Sequence, residues 1–388
     1  MSTRVDPSLL DEIKEYGAIN PEACFNCGNC TAICPLTSDD HPFPRGTIRL
    51  LQMGMRDRLM ESADPWLCYY CGDCTRTCPK GAEPAETMMA ARRWLTAQYD
   101  RSGLGAKLYT SEQAILRTII RYVLLTLVAF VAYHLLTGFD RIVTDRVELN
   151  TFAPVLLVWA FVLVHFAFLS LRVGANTVNM AKHIMRPTKD QIVVPLPVYV
   201  SEFKEFIIHF VTQKRWRDCS EAGHSRWLKH LLLASGYVTM LVLVVGLLWW
   251  FQTDEIYPLY HPQRWLGYYA TIVLVYGSLD VLAGRLRKRE ELHRFSHPSD
   301  WLFPVFILVG ALTGILVHAF RYAGWAWPTY IIYVVHLMAM FAMLDTEVGI
   351  GKWAHMIYRP LAMYLESVKS RARELEKAAP RPVPAGTD

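Results

Sequence analysis

The sequence predicts an all-α protein in two parts: a helical N-terminal domain rich in cysteine, followed by a six-span bundle of membrane helices. Three observations support this. Eight of the nine cysteines fall in two short runs between residues 24 and 78. After residue 115 the chain is dominated by six long apolar segments. Around the cysteines, apolar residues recur at helical spacing and no strand-like alternation is present.

The cysteine runs come first because they are the most specific. Cys24, Cys27, Cys30 and Cys34 are followed by Pro35, and Cys68, Cys71, Cys74 and Cys78 by Pro79. Both read C-x₂-C-x₂-C-x₃-C-P, the run that wraps a cubane iron–sulfur cluster. In two-cluster proteins the fourth thiolate of each run goes to the other cluster. Structural zinc takes paired thiolates rather than an unbroken run of four, and a disulfide framework needs an oxidising compartment. Two complete copies therefore predict two 4Fe–4S clusters and one-electron chemistry. Cys24, Cys27 and Cys30 are expected to share one cluster with Cys78, and Cys68, Cys71 and Cys74 the other with Cys34. Cys219, alone in a basic stretch, reads as an incidental thiol.

Between the runs, Ile48, Leu51, Met55 and Leu59 predict a helix with Arg49, Arg56 and Arg58 on its other faces. After the second run, Pro84 fits the first turn of another helix, with Met88, Leu95 and Tyr99 along one side. Residues 1–110 are thus expected to form a helical ferredoxin-like domain. Met1 to Asp11 contains no apolar core of a signal peptide, which predicts a cytoplasmic location for it.

A bilayer span needs about 20 apolar residues. Six segments qualify, near 117–137, 152–171, 228–250, 266–284, 302–321 and 327–347. The Arg172–Trp227 connection holds nine Lys and Arg and the Arg285–Asp300 connection five, whereas the opposite loops hold only Arg141, Arg146 and Arg264. By the positive-inside rule both termini are cytoplasmic. That placement also accounts for the net charge of +5 without nucleic acid. The expected order is a transmembrane hairpin over 111–172 and a cytoplasmic connection over 173–227. A four-span haem domain over 228–360 and a cytoplasmic helix with a disordered tail over 361–388 complete it. Within the connection, Phe203, Phe206, Ile207 and Phe210 predict an interfacial helix over Val200–Trp216, with His209 on its polar face. A charged helix is expected from Tyr364 to Lys377.

Ionisable residues inside spans are functional by default, and histidine holds haem iron. His230 opens the third span and His355 follows the sixth, on the same membrane side, so the two are expected to ligate one haem b. His336 lies nineteen residues before His355, more than 20 Å away at about 1.5 Å per residue. It implies a second haem, with His318 the first choice of partner and His134 and His165 weaker ones. The remaining histidines lie in loops or at the interface. Arg321 and Tyr322, with His318 and Tyr330, form a polar group at the outer end of the fifth span and are the expected quinone site. Lys352 beside His355 is the alternative. No G-x-G-x-x-G or G-x-x-x-x-G-K-[ST] motif is present, so no nucleotide or flavin site is expected.

The two cysteine runs, the basic helix RGTIRLLQMG and the stretch WLCYYCGDCTRTCPKG resemble the C subunit of heterodisulfide reductase. RWLKHLLLASGY around His230, LTGILVHAFRYAGW, YIIYVVHLM around His336 and KWAHMIYRPLAM around His355 resemble the haem b membrane subunits of that group. More distantly, they resemble the gamma subunit of respiratory nitrate reductase. The nitrate reductase pattern has a second histidine where this chain has Met240. The fusion of both halves, over residues 20–365, is most similar to the C subunits of the quinone-interacting membrane-bound oxidoreductases of sulfur-metabolising bacteria. That resemblance implies a redox subunit of the bacterial inner membrane. It would carry electrons between the quinone or menaquinone pool and cytoplasmic flavin/iron–sulfur partners related to the A subunit of heterodisulfide reductase. Adenylylsulfate reductase would lie downstream, and the whole would form a hetero-oligomeric complex. The rival readings are a component linked to heterodisulfide or sulfite reductase, and a membrane anchor whose clusters only stabilise its fold.

Overall fold

The computed structural model describes residues 4–38, 41–189, 192–214, 223–348 and 351–378. Cys219, Trp216, the tail from residue 379 and the Lys352 side chain lie outside what is described. The architecture is all-α. Among the described residues the only β pairing is an isolated bridge between Ser38 and His41.

Among the described residues, eight α-helices make the N-terminal part: Leu9–Glu15, Asn29–Ile33, Arg45–Gln52, Arg56–Met60, Asp64–Leu67, Asp73–Arg76, Pro84–Tyr99 and Leu104–Thr110. The single helix suggested by Ile48 to Leu59 is two. Gly54, at φ +65°, turns the chain between them, and a side chain there would collide with the Asp6 backbone. Pro84 does open the next helix, where its missing N–H costs nothing.

Among the described residues, six helices are long and apolar enough to cross a membrane: Glu112–Thr137, Val155–Pro187, His224–Val245, Pro262–Leu286, Pro298–Tyr322 and Ala326–Glu347. Their outer faces expose Leu136, Val164 and Leu171, the surface a hydrocarbon solvent accepts. The third span stops at Val245, five residues short of the expected end. The chain breaks at Gly246 before the short helix Leu248–Phe251.

The N-terminal part does not stand apart from the bundle. Its Trp66, Trp94 and Tyr99 share one core with Met180 and Ile184 of the second helix and with Tyr358, Ala362, Leu365 and Val368 of the C-terminal helix. The Trp66 ring meets Tyr358 edge-on at 5.3 Å. Each such ring buried away from water contributes about 1.5–3 kcal/mol. Two sequence expectations change as a result. The second helix does not end near 171 but continues to Lys189, because its later turns have this core to pack against. The C-terminal helix does not start after Pro360 but runs from Lys352 to Ala378 straight through it. Buried pairs fasten the same joint: Arg93–Asp300 at 2.9 Å and Arg172–Asp100 at 3.0 Å. The N-terminal part and the C-terminal helix therefore meet on one face of the bundle, called the cluster face below.

The helix Leu196–Thr212 lies between the second and third spans. It exposes Phe203, Ile207 and Phe210 on one side. On the other, Tyr364 donates to the Tyr199 carbonyl at 3.0 Å and Ser367 to Glu202 at 2.6 Å. An apolar exposed stripe with a tethered polar side suits a helix lying in the membrane interface.

Candidate cofactor sites

The helices Asn29–Ile33 and Asp73–Arg76 follow the first turns of the two cysteine runs and pack against each other. Each is entered through a glycine in the left-handed region, Gly28 at φ +92° and Gly72 at φ +86°. Glycine alone adopts that turn without strain, which is why the two loops fold alike. Cys34 lies in one small cleft with Cys68, Cys71 and Cys74, walled by Phe43, Tyr69 and Tyr70. Cys30 neighbours Cys24 and Cys27.

Burial is the main influence on these thiols. It pushes Cys34 up to about 12 and Cys71 to about 11, and for Cys34 the nearby Cys68 and Cys71 add to the effect. Bare thiolates are thus disfavoured here, and iron charge would offset the cost. The Tyr70 N–H donates to the Cys68 sulfur at 3.3 Å and the Ala82 N–H to the Cys78 sulfur at 3.4 Å, bonds of the kind that tune cluster potential. Arg92 is buried beside them and donates to the Pro65 and Cys68 carbonyls. Among the described residues no three Cys, His, Asp or Glu side chains close on a single-ion site. A cubane instead spreads its thiolates over separate corners.

A cavity of about 310 Å³ opens between the third span, the interfacial helix and the C-terminal helix. His230 and His355 face each other in it, with ring centres 6.3 Å apart and planes at 69°. An iron held by two imidazoles lies about 2 Å from each nitrogen, with each ring centre about 1 Å further, so such rings stand roughly 6 Å apart. The His230 Nδ1 is held by Gln213 Oε1 at 2.6 Å, an outer contact that sets ring orientation. His209 also lines this cavity and is buried, so it is not the polar-face residue its sequence position suggests. Tyr69 lines both this cavity and the Cys34–Cys68–Cys71–Cys74 cleft.

A second cavity of about 280 Å³ lies further from the cluster face and is lined by His336, His318, Met240, Arg264 and Arg321. Thr313 meets the His336 Nδ1 at 2.9 Å, and Tyr268 meets the His318 Nε2 at 2.9 Å. Arg264 and Arg321 are each 4% exposed. Among the described residues, Arg264 Nε and Nη2 and Arg321 Nε find no hydrogen-bond partner. Arg321 also donates to the Glu255 carbonyl at 2.8 Å, and Tyr322 donates to that of Tyr257. Of the two residues expected at a quinone, Arg321 lines this cavity, and both are tied to the loop carrying Glu255 and Tyr257. His134 packs between Phe139 and Phe152, away from the other histidines. His165 pairs with Asp345, a partner that no sequence pattern suggests.

With this geometry in hand, comparison with known proteins decides the N-terminal part. A 4Fe–4S dicluster domain model matches residues 20–82. A protein of Archaeoglobus profundus, described as like the C subunit of heterodisulfide reductase, is 36% identical over 98 residues, 25% of this chain and 52% of that protein. The N-terminal part is similar to the C subunit of heterodisulfide reductase. The iron–sulfur C subunit of the CoB–CoM heterodisulfide reductase of Methanopyrus kandleri is 30% identical over 96 residues, 23% of this chain and 50% of its own length. The chain thus spans about half the length of the curated relatives it matches. No solved structure matches. A heterodisulfide reductase C-like iron–sulfur domain fused to six apolar helices makes this an iron–sulfur electron-transfer protein of a membrane.

Proposed function

We propose that the chain carries electrons between membrane quinone and a soluble redox partner through haem b and two 4Fe–4S clusters. When bound, these groups supply one-electron steps; the chain's own residues hold, space and insulate them. Cys24, Cys27, Cys30 and Cys78 would hold one cluster, and Cys68, Cys71, Cys74 and Cys34 the other. His230 and His355 would hold the first haem, oriented by Gln213. The observation that carries this reading is the 6.3 Å spacing of those two rings across a cavity that ends at Tyr69.

His336 would hold a second haem, with His318 and Met240 in the same cavity and Arg264 and Arg321 available to its carboxylates. Buried guanidinium donors without partners among the described residues favour an anionic group there. The cluster face is read as cytoplasmic, in a bacterial inner membrane. The soluble partner is read as a flavin/iron–sulfur protein like the A subunit of heterodisulfide reductase, in dissimilatory sulfur metabolism. The test is haem and iron counting on the purified chain, with reduced-minus-oxidised spectra after dithionite and after a quinol analogue. A b-type spectrum reduced by both is expected; a preparation with clusters and no haem would refute the proposal.

A further inference from the structure

Beside the second cavity, which Phe166, Phe341 and Leu344 line, three spans bring ionisable side chains together at the membrane-facing side of the bundle. His165 Nε2 of the second span lies 2.8 Å from Asp345 Oδ2 of the sixth. Tyr122 of the first span stands beside them, its ring centre 6.4 Å from that of His165. Phe341 packs edge-on against both Phe161 and His165, at 5.1 and 5.3 Å.

The depth of this group matters. Arg172, paired with Asp100 at the cluster face, is seven residues beyond His165 on one helix, about 10 Å of rise. The trio thus lies about two turns inside the hydrocarbon, where ionisable groups cost several kcal/mol and are retained for function. An apolar trio would lock the three helices at less cost. The surroundings also point outward. Phe161, Val164 and Phe168, around His165 on the same helix, are 56%, 72% and 59% exposed toward lipid. His165 itself keeps 16% exposure. The result is a lipid-facing aromatic surface with an imidazole, a carboxylate and a phenol at its floor.

We propose that Tyr122, His165 and Asp345 bind the head group of a membrane hydroquinone and take its protons. An aromatic ring with a hydroxyl at each end and a lipid tail matches an apolar rim open to the bilayer with the His165 imidazole and the buried Asp345 carboxylate behind it. Each O–H bond that breaks sends its proton to the His165–Asp345 pair and then to the aqueous phase at the cluster face. The two electrons would leave one at a time, and a ferric haem held as under the proposed function would supply the acceptor for each. Loss of two protons and two electrons converts the hydroquinone to quinone. The acceptor is near: Phe166 and Leu344, the chain neighbours of His165 and Asp345, share a core with Tyr237, which lines the His230–His355 cavity.

The electron-accepting half of this inference rests on the proposed function; the binding half does not. The experiment therefore has two readouts on the full chain in detergent. The first is fluorescence-quench titration with 2-heptyl-4-hydroxyquinoline N-oxide, a head-group analogue. The second is the rate of haem reduction by menadiol against the extent reached with dithionite. Asp345→Asn and His165→Gln should each weaken analogue binding about tenfold and slow menadiol reduction at least tenfold, with the dithionite spectrum unchanged. Tyr122→Phe removes only a hydroxyl, so it carries the test if the others do not accumulate; a weakening of about threefold is expected. Wild-type titrations in all three variants would overturn the site and leave a helix-locking ion pair. Absence of haem from the wild type would refute the electron-transfer reading alone, because the titration stands without it.

Discussion

The Arg359 guanidinium lies over the ring of Tyr69, 4.6 Å from its centre. Tyr69 follows Cys68 in the second cysteine run, and Arg359 stands one helical turn after His355. This contact therefore fastens the cluster loop to the helix carrying the candidate haem ligand. Because Tyr69 walls both sites, one aromatic ring separates them.

Cys34 should belong to the cluster of the second run, since it shares its cleft with Cys68, Cys71 and Cys74. Cys34→Ser is expected to perturb that cluster's electron paramagnetic resonance signal and leave the other largely intact. Loss confined to the cluster of Cys24, Cys27 and Cys30 would contradict the crossed arrangement.

Arg92 places a buried positive charge against the Cys68 carbonyl. Net charge near a cluster sets its potential, and a cation favours the reduced form. Arg92→Met should therefore lower the midpoint potential of the second-run cluster by tens of millivolts in a redox titration. Arg92→Lys, which keeps the charge, should restore most of it. Equal potentials in all three proteins would remove this role.

Glu86 gives a pH dependence whose sign is defined. Burial is the main cause that raises its carboxyl to about 7, and its contact with the Tyr70 hydroxyl only partly opposes this. The folded state thus binds the proton more tightly than the unfolded chain. Its stabilising contribution is full below pH 4.5 and is lost as pH rises through 7. Glu86→Gln stays neutral, so it should raise the melting temperature by a few degrees at pH 8 and hardly change it at pH 5. The reverse order in thermal melts would show that the carboxylate is stabilised in the fold.

Much of this is legible in the sequence, and the exceptions share a cause. The cysteine runs are read directly because cluster ligation fixes residue type and spacing locally. The six spans are read from apolar length. Counting membrane crossings brings His230 and His355 together, since each sits at a span end on the same side. What cannot be read depends on packing between distant segments. The second helix continues past 171 because Met180 and Ile184 find Trp66 and Tyr358 as neighbours. His165 gains Asp345 from a helix 180 residues away. His209 looks polar-facing in the sequence because its helix turns its other side to lipid. Its Glu205 neighbour, 3.4 Å away, is the one local hint of a positioned ring.

The central claim is tested most directly by the visible and electron paramagnetic resonance spectra of His230→Ala and His355→Ala, with cluster content measured in each. Both variants should lose the same low-spin haem signal and keep both clusters, while His336→Ala keeps that signal and loses or shifts another. Loss of different haem signals in the His230 and His355 variants, or no change in either, would contradict the account.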